Sequence, residues 1–390
     1  MLTGLAITAL AAEGLWYGIH EIPGFAPALV DGVRGVVGPA PIAWAEDVAY
    51  GIADRVNQLR YGSAPPKVFW SAPAAPGEGE GEGEGEGEGQ TRPASVSQSH
   101  DESVAPPPFS PPFPRVAAPG DGAWIPVPDA ATRGDAPALW KSAVHPDPRR
   151  GFAAVAVVAV DLARVDLRLV AGTQEPASAT VPPEQRHGLI PTDRAPDLIA
   201  AFNGGFKAMH GHYGMMIQGE TYLPPRNVAC TIALYRDGGV RIRKWTALRE
   251  TEPDMQAYRQ TPPCLVQQGE LHSALSESNR DWGATVSGET IIRRSALGID
   301  ASGRFLLYGL GEAVSAQTMA RAMLAAGARD AAQLDVNHAY PRFLFFDKGA
   351  PGEPPRIGSA LIPDVNFKAD EYVEEPSPRD FFYLARRRTL

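Results

Sequence analysis

The chain has 390 residues, a net charge of −9 and two cysteines, Cys230 and Cys264. That length allows two or three ordinary domains. Two cysteines exclude paired Cys-x-x-Cys metal sites, and the charge balance gives no nucleic-acid footprint.

In chain order, three regions are expected. The first, 1–70, opens on "MLTGLAITALAA", apolar but only 12 residues long and without a basic start, too short to span a bilayer. It reads either as the remainder of a signal or anchor segment or as an ordinary amphipathic helix. Further on, Ile42, Ala45, Ala49, Ile52, Val56 and Leu59 recur at helical spacing between Pro41 and Gly62. The spacing predicts an N-terminal helical segment that docks or lies at a membrane surface.

The second region, 71–120, holds the repeat "GEGEGEGEGEGEG" and then "APPPFSPPFPRVAAPG". Glycine is flexible, the six glutamates repel and the prolines favour extended chain, so a disordered linker is predicted. The third region, 121–390, is the one able to fold as a globule. "FAAVAVVAVDL", "VDLRLVAG" and "DLIAAFNGGF" are apolar runs of strand length. "ACTIALYRDGGVRIRKW" and "ETIIRRSALGIDASGRFLLYGL" each read as a hairpin around a glycine-containing turn. Ser315 caps a helix whose Ala316, Met319, Ala320, Met323 and Leu324 share a face, and Gly327 closes it. "AAQLD" and "RFLFFD" are two more strands. The fold class expected is α+β, with mixed or antiparallel sheets and a few helices.

Chemistry-bearing residues gather at strand ends. Asp335 follows the short "AAQL" run, with Asn337 and His338 just after it. Asn203-Gly204-Gly205 ends another strand and is either a plain β-turn or a pocket wall. Arg293 and Arg294 are neighbours on a strand, so they point to opposite faces; Arg294 is taken as the anion clamp, against a structural ion pair. His210 and His212 would share a face on a strand and suit a metal; in a loop they line a polar cleft. Tyr213, Tyr340 and Trp140 are candidates for stacking on sugar rings. Cys230 and Cys264 are either buried thiols or one disulfide in an oxidising compartment.

The order "FNGGF", "IQGETY", "PPCLVQQGEL", "RRSALGIDASGRFLLYGL", capped helix and strand-end "LD" resembles the phosphodiester glycosidase family over about 153–385. Asn203, Gly204, Gly205 and Phe206 match that family's "NGGFF". Arg294, Ser295, Ala296 and Gly298 match "RTAIG", and Leu334-Asp335 match the opening of "LDGGGS". The chain departs from the family at Val336, Asn337, His338 and Ala339, where a glycine-rich loop is expected. Glycines let backbone N–H groups approach a phosphate or sugar closely; here side chains would take that part.

The resemblance implies a hydrolase of the cell envelope or secreted space, acting on a glycosidic or sugar-phosphodiester linkage. Asp335, His338 and Arg294 would be catalytic. Asn203, Gly204, Gly205, His210, His212 and Asn337 would bind substrate. No metal or cofactor is expected. The partner is a carbohydrate or sugar phosphate rather than nucleic acid, with membrane anchoring through the N-terminal segment. The alternative is a non-catalytic glycan-binding module of the same fold that has lost the glycine-rich loop.

Overall fold

The computed structural model describes residues 51–52, 54–62, 64–70, 105–129, 136–276, 280–282, 291–336, 339–350, 352–363 and 365–388. The expectations for 1–50, for most of the Gly-Glu-Pro linker, and for Asn337 and His338 lie outside the described residues.

The described residues from 105 onward are mainly β, in three antiparallel sheets. The first sheet contains β1 (Ile125–Val127), β2 (Leu139–Val144) and β3 (Val155–Asp161). It continues through β11 (Val266–Gln267), β12 (Glu270–Leu271), β13 (Ile292–Asp300), β14 (Phe305–Val314) and β15 (Ala328–Gln333). Its order is β1-β2-β3-β14-β13-β15-β11-β12. The second sheet contains β6 (Met215–Ile217), β7 (Glu220–Leu223), β8 (Cys230–Tyr235), β9 (Val240–Lys244) and β10 (Met255–Thr261), in the order β7-β6-β10-β8-β9. The third contains β4 (Val165–Val170), β5 (Leu198–Asn203), β16 (Phe343–Asp347), β17 (Arg356–Ala360) and β18 (Phe381–Arg386), in the order β17-β16-β5-β18-β4.

One α-helix, α1 (Ala316–Ala325), is found among the described residues after 105. Antiparallel sheets with few helices are what the sequence predicts, and β structure dominates among the described residues. The reason is local: the links between strands are hairpins and 3-10 turns, which antiparallel pairing allows. The hairpins β8–β9 and β13–β14 form as the alternation and turn residues predict. Ser315 accepts a hydrogen bond from the Thr318 N–H at 3.0 Å, and α1 buries Met319, Ala320 and Met323 against the first sheet.

β3 and β5 are buried along their whole length. Branched and small apolar residues suit such strands, covered on both faces. Phe202 on β5 stacks on Phe343 at 5.6 Å and on Phe382 at 5.3 Å, and meets Tyr308 of β14 at 5.0 Å. These rings join the third sheet to the first and set the end of β5 inside the molecule.

Ordered packing begins upstream of residue 121. Phe109 packs edge-on against Trp124 at 5.5 Å, and Ala118 is buried. Residues 54–61 are helical and sit on the domain through an Asp54–Arg150 ion pair at 2.7 Å. Among the described residues, no helix is long and apolar enough to cross a membrane.

Cys230, at the start of β8, and Cys264, just past β10, form a disulfide with a Cα separation of 4.8 Å. It closes a loop of sequence separation 34, worth about 3–4 kcal/mol by loop-closure entropy. Changing both cysteines to serine should lower the urea-unfolding free energy by that order. An unchanged midpoint and slope would show that the bridge contributes nothing.

Candidate functional site

The end of β5 is held by side-chain chemistry rather than by a free turn. Asn203 is 4% exposed. Its Nδ2 donates to Ser295 Oγ at 2.9 Å, and its Oδ1 accepts from Tyr308 OH at 2.8 Å and from the Arg342 N–H at 3.2 Å. Ser295 in turn donates to the Asp335 carbonyl at 3.2 Å, and the Asp335 N–H donates to the Gly204 carbonyl at 3.1 Å. Burial pushes the Tyr308 hydroxyl well above the usual phenol range, so it stays a donor. The strand ends carrying Asn203 and Asp335 therefore meet.

Two buried ion pairs flank the loop after Asn203. The Asp335 carboxylate pairs with Arg379 Nη2, which also donates to the Gly205 carbonyl at 3.2 Å. On the other side, Asp380 accepts from the Gly205 N–H and from Arg259 Nε, both at 2.8 Å. Arg259 further donates to the carbonyls of Phe206, Tyr213 and Gln260. The side chains of Arg259 and Asp380 are 0% exposed, and those of Asp335 and Arg379 are 6% and 5% exposed. This crowding explains the two glycines. A Cβ on Gly204 would lie 2.1 Å from Asp380 Oδ2, and one on Gly205 would lie 2.7 Å from Arg259 Cζ.

Arg379 is unusual among these groups. Burial pulls its guanidinium down, but the nearby carboxylates of Asp335 and Asp380 more than offset this and hold it above its ordinary value. Its Nε and Nη1 are buried donors with no hydrogen-bond partner among the described residues. Leaving such donors unmet costs about 1–3 kcal/mol each, more on a charged group. The ring of Tyr340, half-exposed, lies over the guanidinium at 4.4 Å.

The structure brings together Asn203, Gly204, Gly205 and Asp335, and it separates Arg294 from them. Ser295, the neighbour of Arg294 on β13, is the residue facing Asn203. Arg294 sits on the opposite face of β13, where it donates to the carbonyls of Val314 and Trp282 and to Gln333 Oε1 at 2.8 Å. Alternation along the strand put one of the two residues toward the site, and it is the serine. Complete burial pushes the Arg294 guanidinium down to about 9, so its charge is held by carbonyl and amide dipoles in the interior. Arg294→Ala should then act on stability, through buried acceptors left unmet at about 1–3 kcal/mol each. Urea unfolding measures this; a variant of wild-type stability would return Arg294 to the list of functional candidates.

His210 and His212 lie on or beside a turn at 208–211 rather than on a strand, and both are exposed. Loop geometry removes the shared strand face on which a metal reading rested. Trp140 is a core residue against Phe305, and Tyr213 carries Arg226 over its ring at 5.6 Å. Val336 is half-buried.

Arg259, Arg379 and Asp380 were not singled out from the sequence. The signal was present: "AYRQT" and "PRDFFYLA" put charges inside or directly before apolar runs. A charge in such a place must find an interior partner.

Residues 196–335 match the family model described as phosphodiester glycosidase. Two solved structures are similar. One is the catalytic domain of zebrafish N-acetylglucosamine-1-phosphodiester alpha-N-acetylglucosaminidase, auto-inhibited by its pro-peptide. It shows 14% identity and a TM-score of 0.41, and the match covers 67% of this chain and 87% of that one. The other is a hypothetical protein from Synechocystis, at 11% identity and a TM-score of 0.37, with 60% and 59% covered. No curated protein sequence matches the chain. The matched segment runs through Asn203, Arg259 and Ser295 and ends on Asp335, so the two strand ends that meet at this cluster both lie in a region resembling the phosphodiester glycosidase family.

Proposed function

We propose that the protein is a hydrolase that cleaves a sugar–phosphodiester linkage, with Asp335 and Arg379 at its centre. The observation that supports this best is Arg379 itself. It is a buried guanidinium beside a carboxylate, with two donors lacking acceptors among the described residues. Phosphate oxygens match such donors in charge and geometry. In this reading the substrate displaces the Tyr340 ring, its phosphate takes the open donors of Arg379, and Asp335 serves as nucleophile or general base. Asn203, Gly204 and Gly205 fix the frame around them. Asn337 and His338, two and three residues after Asp335, supply polar contacts to sugar hydroxyls, and His338 is the candidate proton donor near neutral pH.

The family match over 196–335 supports a glycosidase-type domain. The disulfide supports an oxidising compartment, and with it a secreted or envelope location and a surface polysaccharide as substrate. The apolar N-terminal segment would serve as the membrane anchor.

A second reading is favoured by one observation. Asp380, the other carboxylate at the loop, has both oxygens engaged by Arg259, at 2.8 and 3.3 Å, so it is not a ready proton donor. A module that binds a phosphorylated glycan without cleaving it fits that arrangement. Incubation with a panel of glycosyl phosphodiesters, scoring released sugar and binding separately, decides between them. Binding without release throughout the panel would favour the module, and neither binding nor release would remove both.

A further inference from the structure

Away from the Asp335 cluster, two adjoining cavities of about 490 and 100 Å³ open where the β4 edge of the third sheet meets β6, β8 and β10 of the second. They share Arg168, Leu234 and Gln256 in their walls. Asn203, Asp335, Arg379, Asp380 and Arg259 line neither. The larger volume falls in the range of about 300–1,000 Å³ usual for ligand sites.

The walls carry more positive than negative charge. Five arginines line the two cavities against three aspartates: Asp166, Asp193 and Asp237. Asp166 alone anchors three guanidinium groups, those of Arg168 at 3.6 Å, Arg194 at 3.0 Å and Arg387 at 3.3 Å. One carboxylate cannot neutralise three cations. Arg194, in the wall of the larger cavity, also keeps a buried Nε without an acceptor among the described residues. Arg186, another of the five, is 5% exposed; its guanidinium donates to the carbonyls of Gln174, Pro176 and Val181 and lies over the Tyr222 ring at 5.5 Å. Carbonyl dipoles fix that charge without cancelling it.

The remaining walls suit a carbohydrate. Gln185, Gln218 and Gln256 offer paired donors and acceptors for hydroxyls, beside the buried rings of Tyr222 and Tyr383. We propose that this groove is a binding site for an acidic glycan chain, with Arg168 and Arg194 taking its carboxylate or phosphate groups. The proposal stands whether or not the Asp335 cluster is catalytic.

Titration calorimetry of the full chain tests it with three probes: oligogalacturonate, a phosphomannan oligosaccharide and a neutral maltooligosaccharide of similar length. One or both acidic probes should bind, more weakly as salt rises, and the neutral one should not. The acid that binds identifies the group recognised. Replacing both Arg168 and Arg194 by Gln should weaken binding by about tenfold or more, as expected for charge-assisted contacts. Because both arginines anchor on Asp166, Gln218→Glu serves as a second variant. Gln218 is exposed at the cavity wall, and the added negative charge should weaken binding without disturbing that ion cluster. Failure of both acidic probes, equal binding of the neutral probe, or unchanged affinity in Gln218→Glu would overturn the proposal.

Discussion

Asp335→Asn should reduce release of sugar from a glycosyl phosphodiester by about 10²-fold or more, the scale expected when a general base or nucleophile is lost. The substitution keeps the shape of the side chain and removes its charge. It also leaves Arg379, 5% exposed, facing a neutral amide instead of a carboxylate. Breaking a buried pair costs about 3–5 kcal/mol, so stability must be followed alongside turnover. The informative measurement is kcat at saturating substrate, well below the variant's own melting temperature. A folded variant that keeps more than a tenth of the activity would remove Asp335 from the chemistry. Arg379→Lys separates binding from reaction. A lysine keeps the charge but loses the planar donors, so KM should rise more than kcat falls if Arg379 holds the phosphate.

Asp380→Ala should be the most destabilising single change at the site. It strips Arg259, whose side chain is 0% exposed, of its carboxylate, at about 3–5 kcal/mol. It also leaves the Gly205 N–H without the acceptor it meets at 2.8 Å, adding about 1–3 kcal/mol. A loss of this size approaches the whole stability of many domains. Urea unfolding with a double-mutant cycle is the check. Pairing Asp380→Leu with Arg259→Met should recover part of the loss, because an apolar pair leaves no stranded charge. A loss below about 1 kcal/mol would mean that Arg259 is satisfied by its carbonyl contacts alone.

Features set by neighbours along the chain are legible in the sequence. The hairpins β8–β9 and β13–β14 and the Ser315 cap depend on turn and capping residues a few positions apart. The placing of Asn203 and Asp335 at the ends of buried strands is also legible, because each ends an apolar run; that the two ends meet comes from the structure. What escaped depends on distance in sequence. Arg259 and Asp380 are 121 residues apart, and Asp335 and Arg379 are 44 apart. Nothing local announces such partners. Arg294 shows a different limit. Seven consecutive residues of β13, from Arg293 to Ile299, are buried, so no polar–apolar alternation marks which face looks toward β5. Parity allowed two assignments, and packing against α1 on one face and the third sheet on the other selects Ser295 for the site.

The backbone N–H groups of Gly204, Gly205 and Asp335 all donate to interior acceptors: the Asp380 carbonyl at 3.0 Å, the Asp380 carboxylate at 2.8 Å and the Gly204 carbonyl at 3.1 Å. Amides bonded in this way exchange with solvent deuterium only through openings that approach global unfolding. These three should therefore rank with the central strands in protection, not with surface loops. A ligand arriving here would meet a backbone already fixed and would lose little affinity to ordering it. Its arrival should leave the protection of these amides nearly unchanged.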